Sequence, residues 1–218
     1  MNRSYKFSND YYSPRNNILI LIILLLVLGK RKAYMIKRIE WEKACDWAWN
    51  FVKESGFIVK NKKNNSIEIA DLGLNEFHIT GLHILSLFDT EWVGAKLLIL
   101  KPNQFFPEHK HPPLEKEKYP GKTEVIRGQW GEFYLVIPGS ITCNPKSNPP
   151  SHRKKYIDIW HEIVIHPGDQ YIISPNTWHW FQAGPEGAIV WSISSKLTDA
   201  KDKFKDPQVK RKTIIIDD

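Results

Sequence analysis

The sequence predicts a mostly β fold, a sandwich or barrel of short strands, with one helix in front of it. Two observations carry that prediction. A stretch with a 3.6-residue apolar period begins near Met35 and stops at Gly56, and the chain beyond it breaks into short apolar runs separated by Gly, Pro and Asn. A third observation sets the period of those runs at two. Ile157, Ile159, His161, Ile163 and Ile165 fall on one face, and Asp158, Trp160, Glu162 and Val164 fall on the other.

The helix is led in by Met35-Ile36-Lys37-Arg38-Ile39, and Trp41, Ala44, Cys45, Ala48, Phe51 and Val52 share one stripe before the Gly56 stop. Strand-like runs follow at 67–69, 79–88, 95–100, 132–137, 156–165, 170–173 and 188–193. The Pro- and Lys-rich stretches 112–121 and 144–155 read as surface excursions. The charged tail after Ser195 is expected to pack loosely, and no internal repeat is visible.

With 218 residues, 42% hydrophobic and 25% charged, the composition excludes a disordered, collagen-like or polytopic membrane chain. The size fits one domain, expected over residues 35–218. Two cysteines, Cys45 and Cys143, are too few for a disulfide scaffold or a cysteine-rich zinc site. They fit a reducing compartment, read as cytoplasmic, and leave His and carboxylates as the groups able to hold a metal.

The net charge of +7 is a matter of position. Residues 1–38 hold eight basic side chains against Asp10 alone, and the remaining 180 residues hold 23 of each sign. A nucleic-acid face needs basic residues concentrated on the folded domain, so no such partner is expected. The eleven-residue apolar run Ile18–Leu28 is short of the roughly 20 residues of a membrane-spanning helix. The Gly29-Lys30-Arg31 that follows offers no signal-peptide cleavage site. Residues 1–34 are therefore expected to contribute nothing to the fold or activity, with a membrane tether as the alternative reading.

His109-Lys110-His111 stands out as a candidate site. On extended backbone, residues two apart project to the same face, so the two imidazoles point at one place. Downstream, Gly168-Asp169-Gln170-Tyr171-Ile172-Ile173-Ser174-Pro175-Asn176-Thr177-Trp178-His179 reads as a strand, a Pro/Asn turn and a third His entering the next strand. Phe181 shares the His179 face, whereas Trp178 and Trp180 take the other.

These two blocks resemble the two motifs of the cupin superfamily, a double-stranded β-helix or jelly-roll-like barrel. The first motif supplies H-x-H and a Glu, and the second supplies a third His. Two glutamates compete for that place. Glu115 sits in the Lys- and Pro-rich loop; Glu124 opens a strand-like run and is followed at the motif's spacing by Gly131, which selects Glu124. A closer resemblance, spanning roughly residues 40–210, is to the D-lyxose isomerase family of cupins. It is carried by Pro107-Glu108-His109-Lys110-His111-Pro112-Pro113, Gly121-Lys122-Thr123-Glu124, Trp160-His161-Glu162, the segment from Pro175 to Gly184, and Phe204-Lys205-Asp206-Pro207.

The resemblance implies a homodimeric enzyme that interconverts D-lyxose with D-xylulose and D-mannose with D-fructose, using a divalent cation, usually manganese. The implied metal ligands are His109, His111, Glu124 and His179, a borderline set that suits Mn, Fe, Co, Ni or Zn. Moving a proton between C2 and C1 of an aldose also needs a proton carrier. Lys122, two residues from Glu124, and Lys96, which matches a family lysine, are the candidates, with Glu108 the weaker one. A lysine beside a divalent cation is expected to have its pKa lowered. The competing readings are an Fe(II) cupin dioxygenase with the same ligands and a sugar-binding cupin without catalysis.

Overall fold

The structure, a computed structural model, describes residues 35–60 and 66–217. The N-terminal extension, with its apolar run, lies outside the described residues. In chain order the elements are β1 (Ile36–Lys37), α1 (Arg38–Glu54), β2 (Ile67–Ala70), β3 (Leu82–Asp89), β4 (Gly94–Leu100), β5 (Phe105–Lys110) and β6 (Glu124–Ile137). They continue with β7 (His161–Ile165), β8 (Gln170–Ile173), β9 (His179–Ser194), β10 (Lys203–Phe204) and β11 (Ile215–Ile216). Among the described residues no helix is long and apolar enough to cross a membrane.

Helix α1 forms where the apolar period places it. Ala44, Ala48, Phe51 and Val52 are buried against Ile67, Ile69, Leu85, Leu97, Ile99 and Ile189 of the sheet. Burial of side chains the size of Phe51 and Val52 contributes about 1.5–3 kcal/mol each. The helix ends at Gly56, whose φ of 75° is in the left-handed region that glycine adopts without strain.

Strand β9 joins the two sides of the barrel. Its first half pairs with β5 and with the end of β6, and its second half pairs with β4 and with the start of β6. Strands β3 and β2 extend the sheet beyond β4, and β7 and β8 pair with β6. Side-chain alternation along β4 then sorts the layers. Leu97 and Ile99 face the helix, while Leu98 and Leu100 join Leu82, Ile84, Phe106, Ile126, Phe133 and Phe181 in the barrel interior. Lys96 is two residues from Leu98 and so also points inward.

Strands β6 and β9 run through the Gly residues that break up the sequence pattern, so the expected runs at 132–137 and 188–193 are only their ends. Gly131 has φ 70°, and a Cβ there would lie 2.2 Å from the Gly187 carbonyl oxygen. That close approach accompanies a register shift in which Gly131 faces Ala188 and Phe133 faces Ala183, which leaves residues 184–187 to bulge.

Three expectations are corrected. The run 156–165 is strand only from His161 to Ile165, because Lys154–Tyr156 closes a 3-10 turn instead. His161, which the alternation puts on the face of Ile157, Ile159, Ile163 and Ile165, is half-exposed and bonds through Nδ1 to the Ser140 carbonyl at 2.9 Å. The tail packs closely. β10 pairs with β5 and β11 with β1, Arg153 donates to the buried Asp206 at 2.8 Å, and the Lys210 amide donates to the Leu72 carbonyl at 2.8 Å. Asp199, Asp202 and Asp206 meet buried partners far away in sequence, where a surface role would have left them in water.

Candidate metal centre

His109 and His179 face each other across the β5–β9 pairing, with ring centroids 4.2 Å apart. A register shift between Phe106 and His109 puts both of these residues on the interior side. Phe106 stacks on Phe181 at 5.0 Å, as expected for an aromatic sharing the His179 face. His111 lies just past the end of β5, its ring 5.2 Å from His109 and 5.1 Å from His179. All three imidazoles are buried. Their ligand-capable nitrogens lie within 4.8 Å of one another, a group able to hold a metal ion.

The hydrogen bonds orient the rings. Nδ1 of His109 meets the Pro107 carbonyl at 2.9 Å, and Nδ1 of His179 meets the Thr177 carbonyl at 2.9 Å. A carbonyl only accepts, so each Nδ1 carries the proton and each Nε2 keeps a lone pair. His179 Nε2 is buried with no hydrogen-bond partner, which leaves its lone pair available to a cation. Burial, reinforced by the neighbouring imidazoles, holds the His109 pKa well below its ordinary value and that of His179 at about 3. Both are therefore neutral, the form that binds metal. Burial and Lys122 push the His111 pKa down, but hydrogen bonds to Asp202 and Glu124 outweigh them and raise it.

Glu124 opens β6 at the edge of this cluster. Its Oε2 lies 2.9 Å from His111 Nε2 and 4.0 Å from His179 Nε2, and its Oε1 accepts from Lys122 Nζ at 3.2 Å and from Ser192 Oγ. Burial pushes its carboxyl pKa up, yet Lys122 and then His111 prevail and hold it well below the ordinary range. Glu115 is elsewhere, in the exposed turn Glu115–Glu117.

Lys96 and Lys122 are both buried and both ion-paired to Asp199, Lys122 at 3.1 Å. At Lys122 burial pushes the pKa down, but Glu124, Asp199 and Asp202 outweigh it and raise it; the lowering expected beside a divalent cation belongs to the metal-bound site. Glu108 is not among the residues lining the cavity that His109, His111 and Glu124 share. Its Oε2 accepts from the Asp158 amide at 2.7 Å, and burial pushes its carboxyl pKa up.

Four further residues complete the wall, and sequence reasoning singled out none of them for the site. Asp202 accepts from His111 Nδ1 at 2.6 Å, Phe204 stacks on His109 with centroids 5.4 Å apart, and Asp199 and Arg211 line the same small cavity. All four come from the charged tail. The one signal there was the Phe204-Lys205-Asp206-Pro207 resemblance; Asp199 and Asp202 sit in no local pattern.

No protein-family model matches the chain. A D-lyxose ketol-isomerase of Thermofilum sp. (strain ex4484_79) is 45% identical over 170 residues, 78% of this chain and 93% of that protein. The chain belongs to the D-lyxose ketol-isomerase family. The D-lyxose/D-mannose isomerase of Thermosediminibacter oceani is a second relative, 41% identical over 177 residues, 81% of this chain and 97% of that protein. Among solved structures, a mutant L-ribose isomerase of Acinetobacter sp. DL28 in complex with L-ribose superposes with a TM-score of 0.65 at 14% identity. It covers 84% of this chain and 98% of its own. The Cellulomonas parahominis L-ribose isomerase with no ligand gives 0.63 at 15% identity, covering 85% and 100%. At those identities the likeness is one of fold, and the cupin barrel expected of a D-lyxose ketol-isomerase family member is the fold this chain has.

Proposed function

We propose that the chain is a metal-dependent aldose–ketose isomerase that interconverts D-lyxose with D-xylulose and D-mannose with D-fructose. The observation that carries this reading is the convergence of three buried imidazoles, two with Nδ1 bonded to carbonyls and the third to a carboxylate, beside a buried, ionised Glu124. The family relatives, named for D-lyxose and D-mannose, supply the substrate class. His109, His111, His179 and Glu124 would hold the cation, for which manganese is our assignment. Bound there, a divalent cation would polarise the substrate's carbonyl and hydroxyl oxygens and offset the negative charge that develops as the C2 proton leaves.

The chain's own groups would do the rest. Lys122 and Lys96 flank the cavity and are the proton carriers of this reading: one of them, as the free amine that a bound cation and separation from Asp199 would favour, would take the C2 proton and return it to C1, while the proton on O2 passes to O1. A Lys122 ammonium held between Glu124 and Asp199 would also donate a hydrogen bond to a substrate oxygen. Phe106 and Phe181 line the same cavity and exclude water from the reacting carbons. Residues 35–218 would be the catalytic domain, working as a homodimer in the cytoplasm; the two cysteines, both free, fit a reducing compartment.

The test is a panel of aldoses assayed for ketose with Mn, after chelation, and without oxygen. Mn-dependent ketose formation that needs no oxygen is expected. Metal binding with no turnover of any aldose would leave the family fold serving another purpose.

A further inference from the structure

The cavity lined by His109, His111 and Glu124 is small, about 30 Å³. That is room for a water or two, whereas small-molecule sites occupy roughly 300–1,000 Å³. Beside it lies a second cavity of about 580 Å³, lined among others by Trp41, Glu68, Leu197 and Thr213. The two cavities have two lining residues in common, Asp199 and Arg211. The partition between them is therefore made by these side chains, and the larger chamber is big enough to admit a sugar.

Asp199 belongs to a short strap that connects β9 to β10. The strap is anchored upstream where the Ser195 amide donates to the Thr123 carbonyl at 3.1 Å, and downstream where Lys203 and Phe204 pair with β5. Between the anchors the Asp199–Lys201 turn is closed by its own backbone bonds, Lys201 to Thr198 at 2.7 Å and Asp202 to Asp199 at 3.1 Å. Side chains hold it to the barrel. Asp199 bridges Lys96 and Lys122, and Leu197 packs on Gly94, where an added Cβ would lie 2.5 Å from Leu197 Cγ. Asp199 keeps 20% of its side chain exposed while both lysines are sealed, as befits a residue with one side on the outer chamber. Arg211, the other shared residue, is tied to Glu68 at 2.5 Å.

We propose that the larger chamber is the port through which the sugar reaches the imidazole cluster, and that Asp199 is the gate residue that closes it. In the closed form its carboxylate occupies the two lysines that a substrate oxygen would meet. When residues 196–201 swing out, with Asp202 staying on His111, the two cavities become one. Asp199 is thus a positioning residue, and substrate binding must first displace it. A ligand's apparent dissociation constant is its intrinsic one divided by the open fraction, so weakening the gate tightens apparent binding. The substrate half of this inference rests on the isomerase reading; the gate itself does not.

The experiment uses the full-length, Mn-loaded protein and two variants, Asp199→Asn, which removes the charge, and Leu197→Ala, which loosens the strap without touching either lysine. Amide hydrogen exchange over residues 197–202 is measured without sugar, and kcat and KM are measured on an aldose that the parent converts. Both variants are expected to exchange at least about tenfold faster there and to lower KM severalfold, and Leu197→Ala, which lies outside the imidazole cavity, to keep kcat within about threefold. Unchanged exchange in both would overturn the gate whether or not any aldose is turned over. A kcat loss of about 10²-fold for Asp199→Asn, with exchange and KM unmoved, would also overturn it and make Asp199 a proton carrier. Failure of the parent to convert any aldose would sink the isomerase reading instead, and the exchange result would still decide whether the strap opens.

Discussion

Asp202 accepts a hydrogen bond from His111 Nδ1 at 2.6 Å, and the same ring's Nε2 lies 2.9 Å from Glu124. A carboxylate on the far nitrogen fixes the ring's orientation and makes the near nitrogen more basic, the usual support for a metal-binding imidazole. Asp202→Ala should therefore weaken Mn binding about 10- to 100-fold, measured by competition with a chromogenic chelator. Asp202→Asn, which can still accept a hydrogen bond, should recover part of that loss. Parent-like affinity in Asp202→Ala would show that His111 needs no such support.

Glu124→Gln and Glu115→Gln separate the two glutamates that compete in the sequence. The first removes the charge beside His111 and Lys122 and should lose most bound metal and nearly all activity. The second alters an exposed turn and should behave as the parent. Metal content by atomic emission decides, and reversed outcomes would move the ligand set to Glu115.

Away from the site, His83 gives a pH dependence of stability. Its ring sits 4.9 Å from Trp47 and 4.8 Å from Phe77, donates from Nδ1 to the Ile99 carbonyl at 3.1 Å, and is held by burial at a pKa of about 3. The unfolded chain takes up this proton near pH 6.5 and the folded chain does not. Stability from this group is therefore full above pH 6.5 and falls as the pH drops from there toward 3. His83→Phe, which keeps the aromatic packing, should flatten the fall in urea midpoint between pH 6.5 and 4.5. An identical slope in parent and variant would contradict the assignment.

Periodicity made much of this fold legible because most of its elements are sorted by local alternation. The α1 stripe and β8 are read directly, since Gly56 and the Gly168 and Pro175 turns bound them. β6 and β9 are longer than their alternating runs, because Gly128, Gly131 and the 184–187 bulge interrupt the pattern without ending the pairing. The H-x-H pair and His179 were legible because β5 and β9 each present their site residues at fixed spacing. Asp199 and Asp202 were not. Their partners Lys96, Lys122 and His111 lie 77 to 103 residues away, and a carboxylate in a charged tail looks the same in sequence whether it meets water or a buried ammonium.

A chain beginning at Met35 retains β1, which pairs with β11, and every residue placed in the site. It should be soluble, bind Mn and turn over substrate as the full chain does. Circular dichroism and activity of that truncation check this; loss of folding would give residues 1–34 a structural role.

Lys96→Met and Lys122→Met should keep the metal, since neither is a ligand, while at least one lowers kcat by about 10²-fold or more. A loss of metal in both would make them structural supports of Glu124 and Asp199. Retained turnover in both would remove lysine from proton transfer altogether.

The most direct measurement of the central claim is the mass of the ketose formed from D-lyxose or D-mannose in deuterated water by the Mn-loaded parent. Proton transfer through groups of the protein predicts solvent deuterium at C1 of the product. Ketose formed with no label would contradict it, because a hydrogen that moves directly from C2 to C1 never meets the solvent.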